Sequence, residues 1–492
     1  MEPTPSLQEI ARRAMIERDL DPDFPPPVLE ETAELREPGR HAIRPGAPVQ
    51  DLRSLPWFSI DNNDTRDLDQ LTVAEPLGGQ EVRVRVAVAD VDELVPKESA
   101  TDRHAAHNTT SVYTPARVFP MLPERLSTDL TSLMEGEDRL TLVVDMRVGG
   151  DGSVHSSEIY RAAVRNHAKL AYNSVAAWLD GHGPLPERAK KVQGLDRQIR
   201  LQHEAADRLR ERRQERGALR FELARTRPVL EDGTIHFVDD RKNSATELIE
   251  DFMIASNVET ASFLEARGLP SLRRLVRAPQ RWPRIVEIAA GLGERLPEEP
   301  DSAALARFLD RRRAADPEDY PELSLSVLKL LGSGEYTVDL PGRPAPGHFA
   351  LATEDYTHST APNRRYPDLV IQRLIKATLA GRPAPYRDGE LEEIARWCNR
   401  KSDDARRVER QVQKSAAALL LVDRIGQEFR AVVTGVSEKG TWVRTWHPRV
   451  EGRLEDAGNA GDHRGRLDVG DRIRVKLVSV DVERGFIDFV AC

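Results

Sequence analysis

The first half of the chain contains short stretches in which hydrophobic and polar residues alternate. In the clearest one, residues 81–91 (EVRVRVAVADV), valine occupies every second position from Val82 to Val88. Because successive side chains of a strand point to opposite faces of a sheet, this pattern predicts a strand with one buried and one solvated face. Apolar stretches at 57–60 and 71–74 predict two shorter strands before it.

Helical periodicity is found after these strands and at the start of the chain. Residues 6–18 predict a capped amphipathic helix and residues 28–36 a second one, separated by prolines as in a helix-turn-helix-like hairpin. A stretch rich in proline and glycine at 38–55 predicts a linker. Further helices are predicted at 169–179, 195–215, 245–267 and 368–380. The central part of the chain therefore mixes helices and strands.

The last part of the chain returns to short alternating strands separated by glycine and aspartate turns. Five of them are predicted, at 429–433, 442–445, 450–454, 472–480 and 485–490. Five short strands of this kind are typical of a small barrel. The sequence therefore predicts an α+β multidomain protein, with a small helical region at 1–54, a mixed domain at 55–424 and a barrel at 427–492.

Composition limits where such a protein works. The 492 residues are too many for one compact core, and no apolar run approaches the roughly 18 to 20 residues that span a bilayer. Acidic residues throughout the N-terminal stretch argue against a secretory signal. Cys398 and Cys492 are too few for a disulfide framework. We therefore expect a protein of the cytoplasm with no membrane contact.

An acidic loop lies between two of the predicted strands, at residues 60–72 (IDNNDTRDLDQLT). Its four aspartates are Asp61, Asp64, Asp67 and Asp69. Carboxylates crowded between buried strands are costly unless a cation compensates their charge. A calcium loop is one explanation, but Arg66 stands where such a loop needs glycine. A solvated acidic turn, which needs no cation, stays open as an alternative.

The spacing of the aspartates also suits hydrolysis of a phosphodiester. In that chemistry two Mg²⁺ ions, about 4 Å apart, activate water and hold the leaving oxygen. Asp67 and Asp69 are two residues apart, so in an extended segment both side chains point to the same side. Asp61 approaches from the end of the preceding strand, and carboxylate oxygens are the ligands that such hard cations need.

These residues resemble the signature of a known family. Asp61, Asp67 and Asp69 look like three of the four metal-site aspartates of the ribonuclease II (RNB) family, and Gln70 stands where the family has the fourth. Further blocks resemble the family in its own order: AVADV at 87–91, SVYTP at 111–115, FPMLPERLS at 119–127, GALRF at 217–221, ELIEDFMIASN at 247–257 and YTHSTAPNRRYPD at 356–368. This ordered set is far more specific than the loop alone.

The resemblance implies a fold and an activity. RNA would thread a channel in an RNB catalytic domain of mixed sheets and helices, and single-stranded RNA would be hydrolysed from its 3′ end to 5′-mononucleotides. The implied cofactor is Mg²⁺, or Mn²⁺, with Asp61, Asp67, Asp69 and Gln70 as its ligands. Asp69 would also orient the attacking water.

The resemblance further implies residues that bind RNA. Arg364 matches an arginine that clamps the phosphate near the scissile bond, and Arg365 would assist it. Tyr113 matches a tyrosine that lines the RNA path and stacks on a base, with ordinary core packing as the alternative. Glu409 matches a glutamate near the terminal nucleotide, with a helix-surface ion pair as the alternative.

The predicted barrel resembles the S1-like OB fold. The similarity is carried by GTWV at 440–443, VEGRL at 450–454 and VGDRIRVKLVSVD at 469–481. Trp442 is a candidate for stacking on single-stranded bases, together with Phe429, Trp446 and Phe486. Packing of some of these rings in the barrel core is the alternative.

Two functions are compatible with these patterns. The preferred one is a monomeric exoribonuclease of the ribonuclease II type. The alternative is a catalytically impaired RNB-like protein that only binds RNA, because the neutral amide of Gln70 supplies no charge to offset two closely placed cations. In either case the formal net charge of −9 requires RNA to meet local basic surfaces rather than a basic protein as a whole.

Overall fold

The computed structural model of the protein describes residues 6–36, 49–223, 225–231, 234–240, 242–342, 347–438, 440–455 and 467–492. Its helices are α1 (Leu7–Ile16), α2 (Pro26–Glu34), α3 (Ala100–Asn108), α4 (Tyr172–Leu179), α5 (Glu187–Lys190), α6 (Leu195–Glu215), α7 (Ser244–Glu265), α8 (Trp282–Gly291), α9 (Ser302–Ala315), α10 (Tyr320–Leu331), α11 (Tyr366–Leu379) and α12 (Asp388–Leu421).

The strands within the same ranges are β1 (Gln50–Asp51), β2 (Phe58–Asp61), β3 (Gln70–Gly78), β4 (Glu81–Ala89), β5 (Val112–Tyr113), β6 (Val118–Phe119), β7 (Asp138–Val148), β8 (Val154–Arg165), β9 (Ala168–Ala171), β10 (Arg225–Glu231), β11 (Thr234–Asp240), β12 (Ser271–Leu275), β13 (Glu335–Asp339), β14 (Glu428–Ser437), β15 (Gly440–Thr445), β16 (Glu451–Glu455), β17 (Arg472–Asp481) and β18 (Phe486–Ala491).

A seven-stranded sheet in the order β1-β8-β7-β4-β3-β2-β9 lies in the N-terminal half of the chain. The strand that alternation predicts at 81–91 is β4, and its valines are buried as expected. The prediction that its second face is solvated was wrong. Arg85 is only 6% exposed, because its guanidinium is held by the carboxylates of Asp145 at 3.0 Å and Glu75 at 2.7 Å.

Helices cover the sheet and bind to it through side-chain amides. α6 lies along β3, where the Gln198 side-chain oxygen accepts a hydrogen bond from the Ala74 backbone N–H at 2.9 Å. The hydroxyl of Thr72 donates to the side-chain oxygen of Gln202 at 2.7 Å. α7 packs on α6 and on four strands of the sheet. The helices that periodicity predicts at 195–215, 245–267 and 368–380 are α6, α7 and α11, so these predictions are confirmed.

One predicted helix was wrong at its start. The periodicity of residues 169–179 predicts a single helix, but residues 168–171 form β9 and the helix α4 begins at Tyr172. β9 pairs in parallel with β2, from Phe58 opposite Ala168 to Asp61 opposite Ala171. Its partner is distant in the chain, so the pattern within the segment does not reveal it.

Helix α11 runs through the interior, and its residues from Tyr366 to Ala377 are all buried. Its polar side chains find partners there. The Gln372 side-chain amide donates to the Ala89 carbonyl oxygen at 2.6 Å, and the Arg373 guanidinium lies 2.8 Å from the carboxylates of Asp92 and Asp102. Because a buried charge is tolerated only when it is paired, these contacts fix α11 in one position against the sheet.

Of the two N-terminal helices, α1 packs on α12 and α2 packs on α3. α1 begins with a capping box in which Ser6 and Glu9 bond each other's backbone N–H groups. Its buried face contacts Val408 and Val412 of α12, and Lys401 of α12 forms a 2.8 Å ion pair with Asp19. Both predicted helices are confirmed, whereas most of the predicted linker lies outside the described residues.

The C-terminal part forms a closed barrel in the order β14-β15-β16-β18-β17, as the strand pattern predicts. Phe429 is 8% exposed and packs in the barrel core, so it is not a surface aromatic, whereas Phe486 is 54% exposed. Helices α8 to α10 form a separate small core that reaches the barrel at Val469. Within the described ranges, none of the helices combines the length and apolar character that crossing a membrane requires.

Leu374→Ala should destabilise the protein strongly, because Leu374 is 1% exposed in the interior of α11. Truncating such a side chain removes apolar contacts and leaves a cavity, which costs about 2 to 5 kcal/mol of unfolding free energy. Leu379→Ala, at the 41% exposed end of the same helix, should change it by less than about 0.5 kcal/mol. Urea denaturation measures both, and equal losses would contradict the buried position of α11.

Candidate active site

A cavity of about 650 Å³ opens where β2 ends, β3 begins and the loop before α11 arrives. Sequence-predicted residues that line it are Asp61, Asp67, Asp69, Gln70, Tyr113, Arg364 and Arg365. Glu409 contacts the backbone of Tyr113 from α12, whereas Trp442 lies in β15 of the barrel and is not part of the cavity wall. The structure therefore brings together seven of the nine residues.

The acidic loop is held in place by two residues from other elements. The Ser132 hydroxyl accepts a hydrogen bond from the Leu68 backbone N–H at 3.0 Å and donates to the Arg66 carbonyl oxygen at 2.7 Å. Lys169 of β9 donates through Nζ to the carbonyl oxygens of Asn63, at 3.2 Å, and Thr65. Asp61 is the last residue of β2 and Gln70 the first of β3, so the loop is fixed at both ends.

Asp69 is the most buried acid of the cavity, with 2% exposure. One carboxylate oxygen accepts a hydrogen bond from the Asn363 backbone N–H at 3.1 Å, and the other lies 3.3 Å from Nε of Arg364. Burial raises the pKa of Asp69 to about 7, against the opposing effect of Arg364. Asp69 is thus a desolvated carboxyl group, unlike a residue of a solvated acidic turn.

The other two aspartates are each bound by a protein donor. Asp61 accepts from the Asn62 backbone N–H at 2.7 Å and from the Thr65 hydroxyl at 3.0 Å, and burial raises its pKa. Asp67 accepts from the Tyr113 phenol at 3.3 Å. Asp64 is exposed and does not line the cavity. The cavity therefore collects three carboxylates and the amide of Gln70.

This donor set fits a hard divalent cation by its chemistry. Carboxylate and amide oxygens are the ligands that Mg²⁺ and Mn²⁺ take. A bound cation would also offset the negative charge of carboxylates that are buried with too little positive charge around them. Arg364 is the cation that contacts Asp69. In the described part of the chain, no three acidic, histidine or cysteine side chains are grouped closely enough to hold a metal ion as they stand. Each of the three aspartates is instead bound to its own protein donor.

The loop before α11 is organised by Asp368, which is fully buried. One oxygen of its carboxylate accepts from the Ala361 backbone N–H at 2.8 Å and from Nη2 of Arg365 at 2.6 Å. Arg365 therefore points to Asp368, while Arg364 points to Asp69. The pair of arginines has two separate roles, one in holding the loop and one at the acidic end of the cavity.

Tyr113 lies at the edge of the cavity with 40% exposure, so its ring is not part of the core. Its backbone N–H donates to Oε1 of Glu409 at 2.9 Å, and burial raises the pKa of Glu409. Glu409 thus fixes the β5 segment, and this contact replaces the helix-surface ion pair that was the alternative.

Sequence reasoning missed another part of the cavity wall. It includes Arg274 of β12 together with His348, Tyr356 and His358, whose rings lie 5.4 to 5.7 Å apart in sequence order. Tyr356 and His358 stand in the block YTHSTAPNRRYPD, and Arg274 stands in an arginine-rich stretch. Neither pattern distinguishes a residue facing the cavity from one facing the core.

Comparison with known families assigns most of the chain. Residues 49–381 match the RNB domain, and residues 427–492 match the C-terminal S1 domain of RNase II-type exonucleases. The first match covers the sheet and the cavity, and the second covers the barrel.

Comparison with individual proteins gives the same result. The chain is similar to Ribonuclease R of Vibrio parahaemolyticus, at 31% identity over 479 residues, which is 89% of this chain and 55% of that protein. It is 31% identical over 499 residues to Ribonuclease R of Escherichia coli, covering 95% of this chain and 60% of that protein. The chain thus spans somewhat more than half the length of these relatives.

A solved structure with the same fold is that of Mycoplasma genitalium RNase R in complex with ribose methylated single-stranded RNA. The TM-score is 0.87 at 23% identity, and the match covers 99% of this chain and 78% of that chain. At this level of identity the similarity concerns the fold.

Asp69→Asn should change how the stability of the metal-free protein depends on pH. The pKa of Asp69 is raised from 3.8 to about 7, so between these values the folded state keeps a proton that the unfolded state releases. The contribution of Asp69 to the free energy of unfolding therefore falls as pH rises. Asparagine does not ionise, so the variant avoids this loss. In EDTA, the variant should gain roughly 1 to 4 kcal/mol over wild type between pH 5 and pH 8.

Urea unfolding at several pH values measures this difference. Asp64→Asn, in an exposed part of the same loop, serves as the control and should follow wild type at every pH. A difference between Asp69→Asn and wild type that does not change with pH would show that Asp69 is ionised throughout.

Proposed function

Because the chain belongs to the RNB family of ribonucleases, we propose that it is a hydrolytic exoribonuclease that degrades single-stranded RNA from the 3′ end and releases 5′-mononucleotides. The observation that supports this most is the buried Asp69 carboxylate, held between the Asn363 N–H and the Arg364 guanidinium in a cavity with two further aspartates. The relatives named Ribonuclease R support RNA as the substrate.

The proposed cofactor is Mg²⁺, with Mn²⁺ as a substitute. Asp61, Asp67, Asp69 and Gln70 would hold it, since all four line the cavity and offer oxygen ligands. When bound, such ions supply an activated water and stabilise the leaving oxygen. Asp69 is also proposed to orient the attacking water, since the Asn363 N–H and the Arg364 guanidinium hold its carboxylate in a fixed position.

Arg364 is proposed to bind the scissile phosphate. Its side chain is 46% exposed although Nε contacts Asp69, so the remaining guanidinium nitrogens are accessible from the cavity. A planar guanidinium suits a phosphate group and stabilises the negative charge that develops during hydrolysis. Arg365 supports this indirectly, because its bond to Asp368 holds the loop in which Arg364 lies.

Three further residues are proposed to contact RNA or to place a contact. The exposed Tyr113 ring would stack on a base near the site, with its phenol tied to Asp67 and its backbone tied to Glu409. Glu409 would then act through Tyr113. Trp442, which is half-buried on the barrel, would stack on a base farther from the site.

We also propose the division of the chain that the sequence predicts: a helical region at 1–54, the catalytic domain at 55–424 and the RNA-binding barrel at 427–492. A monomer in the cytoplasm remains the prediction for its state and location. The free thiols of Cys398 and Cys492 are consistent with a reducing compartment.

The alternative, an RNB-like protein that binds RNA without cleaving it, depends on Gln70 alone. The enzyme is the better supported of the two, since Gln70 lines the cavity together with the three aspartates. Loss of one negative charge among four ligands weakens the attraction for a cation and leaves the other ligands in place.

Asp69→Asn should stop the release of mononucleotides from end-labelled single-stranded RNA. With Mg²⁺ present we expect a fall of roughly 10³-fold in rate, because the residue binds the metal and orients the water. Binding of RNA should stay within about threefold of wild type, since asparagine keeps the shape of the side chain. EDTA should stop the wild-type reaction.

Asp64→Asn is the matched control, because it makes the same change in the same loop outside the cavity and should keep the wild-type rate. Undiminished release by Asp69→Asn would remove Asp69 from the mechanism. Wild-type protein that leaves single-stranded RNA intact with both Mg²⁺ and Mn²⁺ would refute the proposed function.

Gln70→Asp should lower the Mg²⁺ concentration for half-maximal activity by about tenfold, which corresponds to about 1.4 kcal/mol of metal binding. The physical reason is that the added carboxylate supplies the missing negative charge at the cavity wall. A magnesium titration of the cleavage rate measures it. Gln80→Asp, at an exposed turn, should leave the titration unchanged, and an unchanged or raised requirement in Gln70→Asp would contradict the position of Gln70 beside the metal.

A further inference from the structure

Two adjacent arginines of β12 have opposite surroundings. Arg273 is 2% exposed and contacts three carboxylates, those of Asp339 at 2.6 Å, Asp355 at 3.0 Å and Glu265 at 3.3 Å. Arg274, on the other face of the strand, lines the cavity. Among the residues that the structure describes, it has no carboxylate partner, and its buried Nη1 has no hydrogen-bond partner.

The Arg274 guanidinium is positioned without a counter-charge. It lies over the ring of Tyr336, 4.6 Å from the centroid, and against the backbone of Gly334. A Cβ atom at Gly334 would stand 2.8 Å from Nη2, so glycine is what leaves room for the guanidinium there. The backbone N–H of Arg274 donates to the Tyr356 carbonyl oxygen at 2.8 Å, and this bond fixes the backbone of β12 at Arg274.

A partly buried cation without a negatively charged partner is unfavourable, and nearby positive charges increase the penalty. Burial lowers the pKa of Arg274, and Arg406 and Arg365 lower it further, although Tyr336 acts in the opposite direction. Arg365 is paired with Asp368 and Arg406 with Asp403. Of these three arginines, Arg274 alone lacks a paired carboxylate within the described ranges, so an anion that enters the cavity would relieve it.

We propose that Arg274 binds a backbone phosphate of the RNA strand other than the scissile one. This inference rests on the proposed function and deepens it. The scissile phosphate is assigned to the acidic end of the cavity with Arg364, whereas Arg274 lies on the wall with Gly334, His348 and Tyr356. A strand that reaches the aspartates with its terminal phosphodiester therefore presents a different phosphate to Arg274.

The first test is the salt dependence of RNA binding. It uses the full chain with Asp69→Asn, so that a fluorescent single-stranded RNA binds without being cleaved. Adding Arg274→Gln should raise Kd about 10- to 100-fold at low salt, as expected for a charge-assisted hydrogen bond. It should also reduce the slope of log Kd against log salt by about 0.7, the value for one phosphate contact on a single strand.

Arg277→Gln is the matched control, because it removes the same charge from the same segment. Its side chain is 64% exposed and pairs with Glu335, so both Kd and the slope should stay as they were. An unchanged slope in Arg274→Gln would overturn the inference whatever happens to Kd, because stacking on a base or a purely structural role does not depend on salt in this way.

Gly334→Ala provides a second variant that keeps the charge of Arg274 but displaces the guanidinium. Both Gly334→Ala and Arg274→Gln, made in the otherwise wild-type chain, should raise KM at least about tenfold and change kcat by less than about twofold, since the contact lies away from the reacting phosphate. A loss of kcat at unchanged KM would overturn the inference.

The outcomes separate the two proposals. If the wild-type chain releases mononucleotides and the Arg274 variants bind RNA as tightly as the controls, the inference fails and the proposed function stands. If the wild-type chain leaves single-stranded RNA intact with both Mg²⁺ and Mn²⁺ and the Asp69→Asn protein does not bind it, both fail.

Discussion

The contact of Asp69 with the loop before α11 is the interaction on which the site depends. It joins two segments that are almost three hundred residues apart, since one carboxylate oxygen meets the Asn363 N–H and the other faces Arg364. A carboxyl group buried to this degree is stable as an anion only when positive charge is near. One guanidinium and one N–H compensate it partly, and two more aspartates line the same cavity. The remaining imbalance of charge is what the proposed metal ion would offset.

Much of the surrounding structure keeps these two segments together. Ser132 and Lys169 hold the acidic loop by hydrogen bonds to its carbonyl oxygens. The buried Asp368, at the start of α11, holds the loop before that helix. α11 is buried along nearly its whole length, so its first turn has little freedom to move. The cavity is therefore built from loops that behave as rigid parts of the core, which suits a site where charges must keep fixed distances.

The sequence predicts those features that depend on neighbouring residues. Alternating valines identify β4, helical periodicity identifies α6, α7 and α11, and the five-strand pattern identifies the barrel. The resemblance to the RNB family points to residues of the acidic loop and of the loop before α11, and in the structure these residues line one cavity.

Features that depend on distant partners were not predicted. β9 is a strand because β2 lies beside it, and Arg85 is buried because Asp145 and Glu75 neutralise it. Glu409 binds a backbone N–H, which leaves no trace in the pattern of charges along α12. Arg274 and Arg273 are identical residues side by side, and only the topology of β12 decides which of them meets the cavity.

The helix α12 contacts α1, β5, β13 and the barrel strands β17 and β18. With 34 residues it is about 50 Å long at 1.5 Å per residue. A continuous helix is stiff along its axis, so force applied at the barrel travels to Glu409 and the β5 backbone instead of being absorbed by a hinge. Through α12, the barrel strands β17 and β18 are thus coupled to the segment that carries Tyr113.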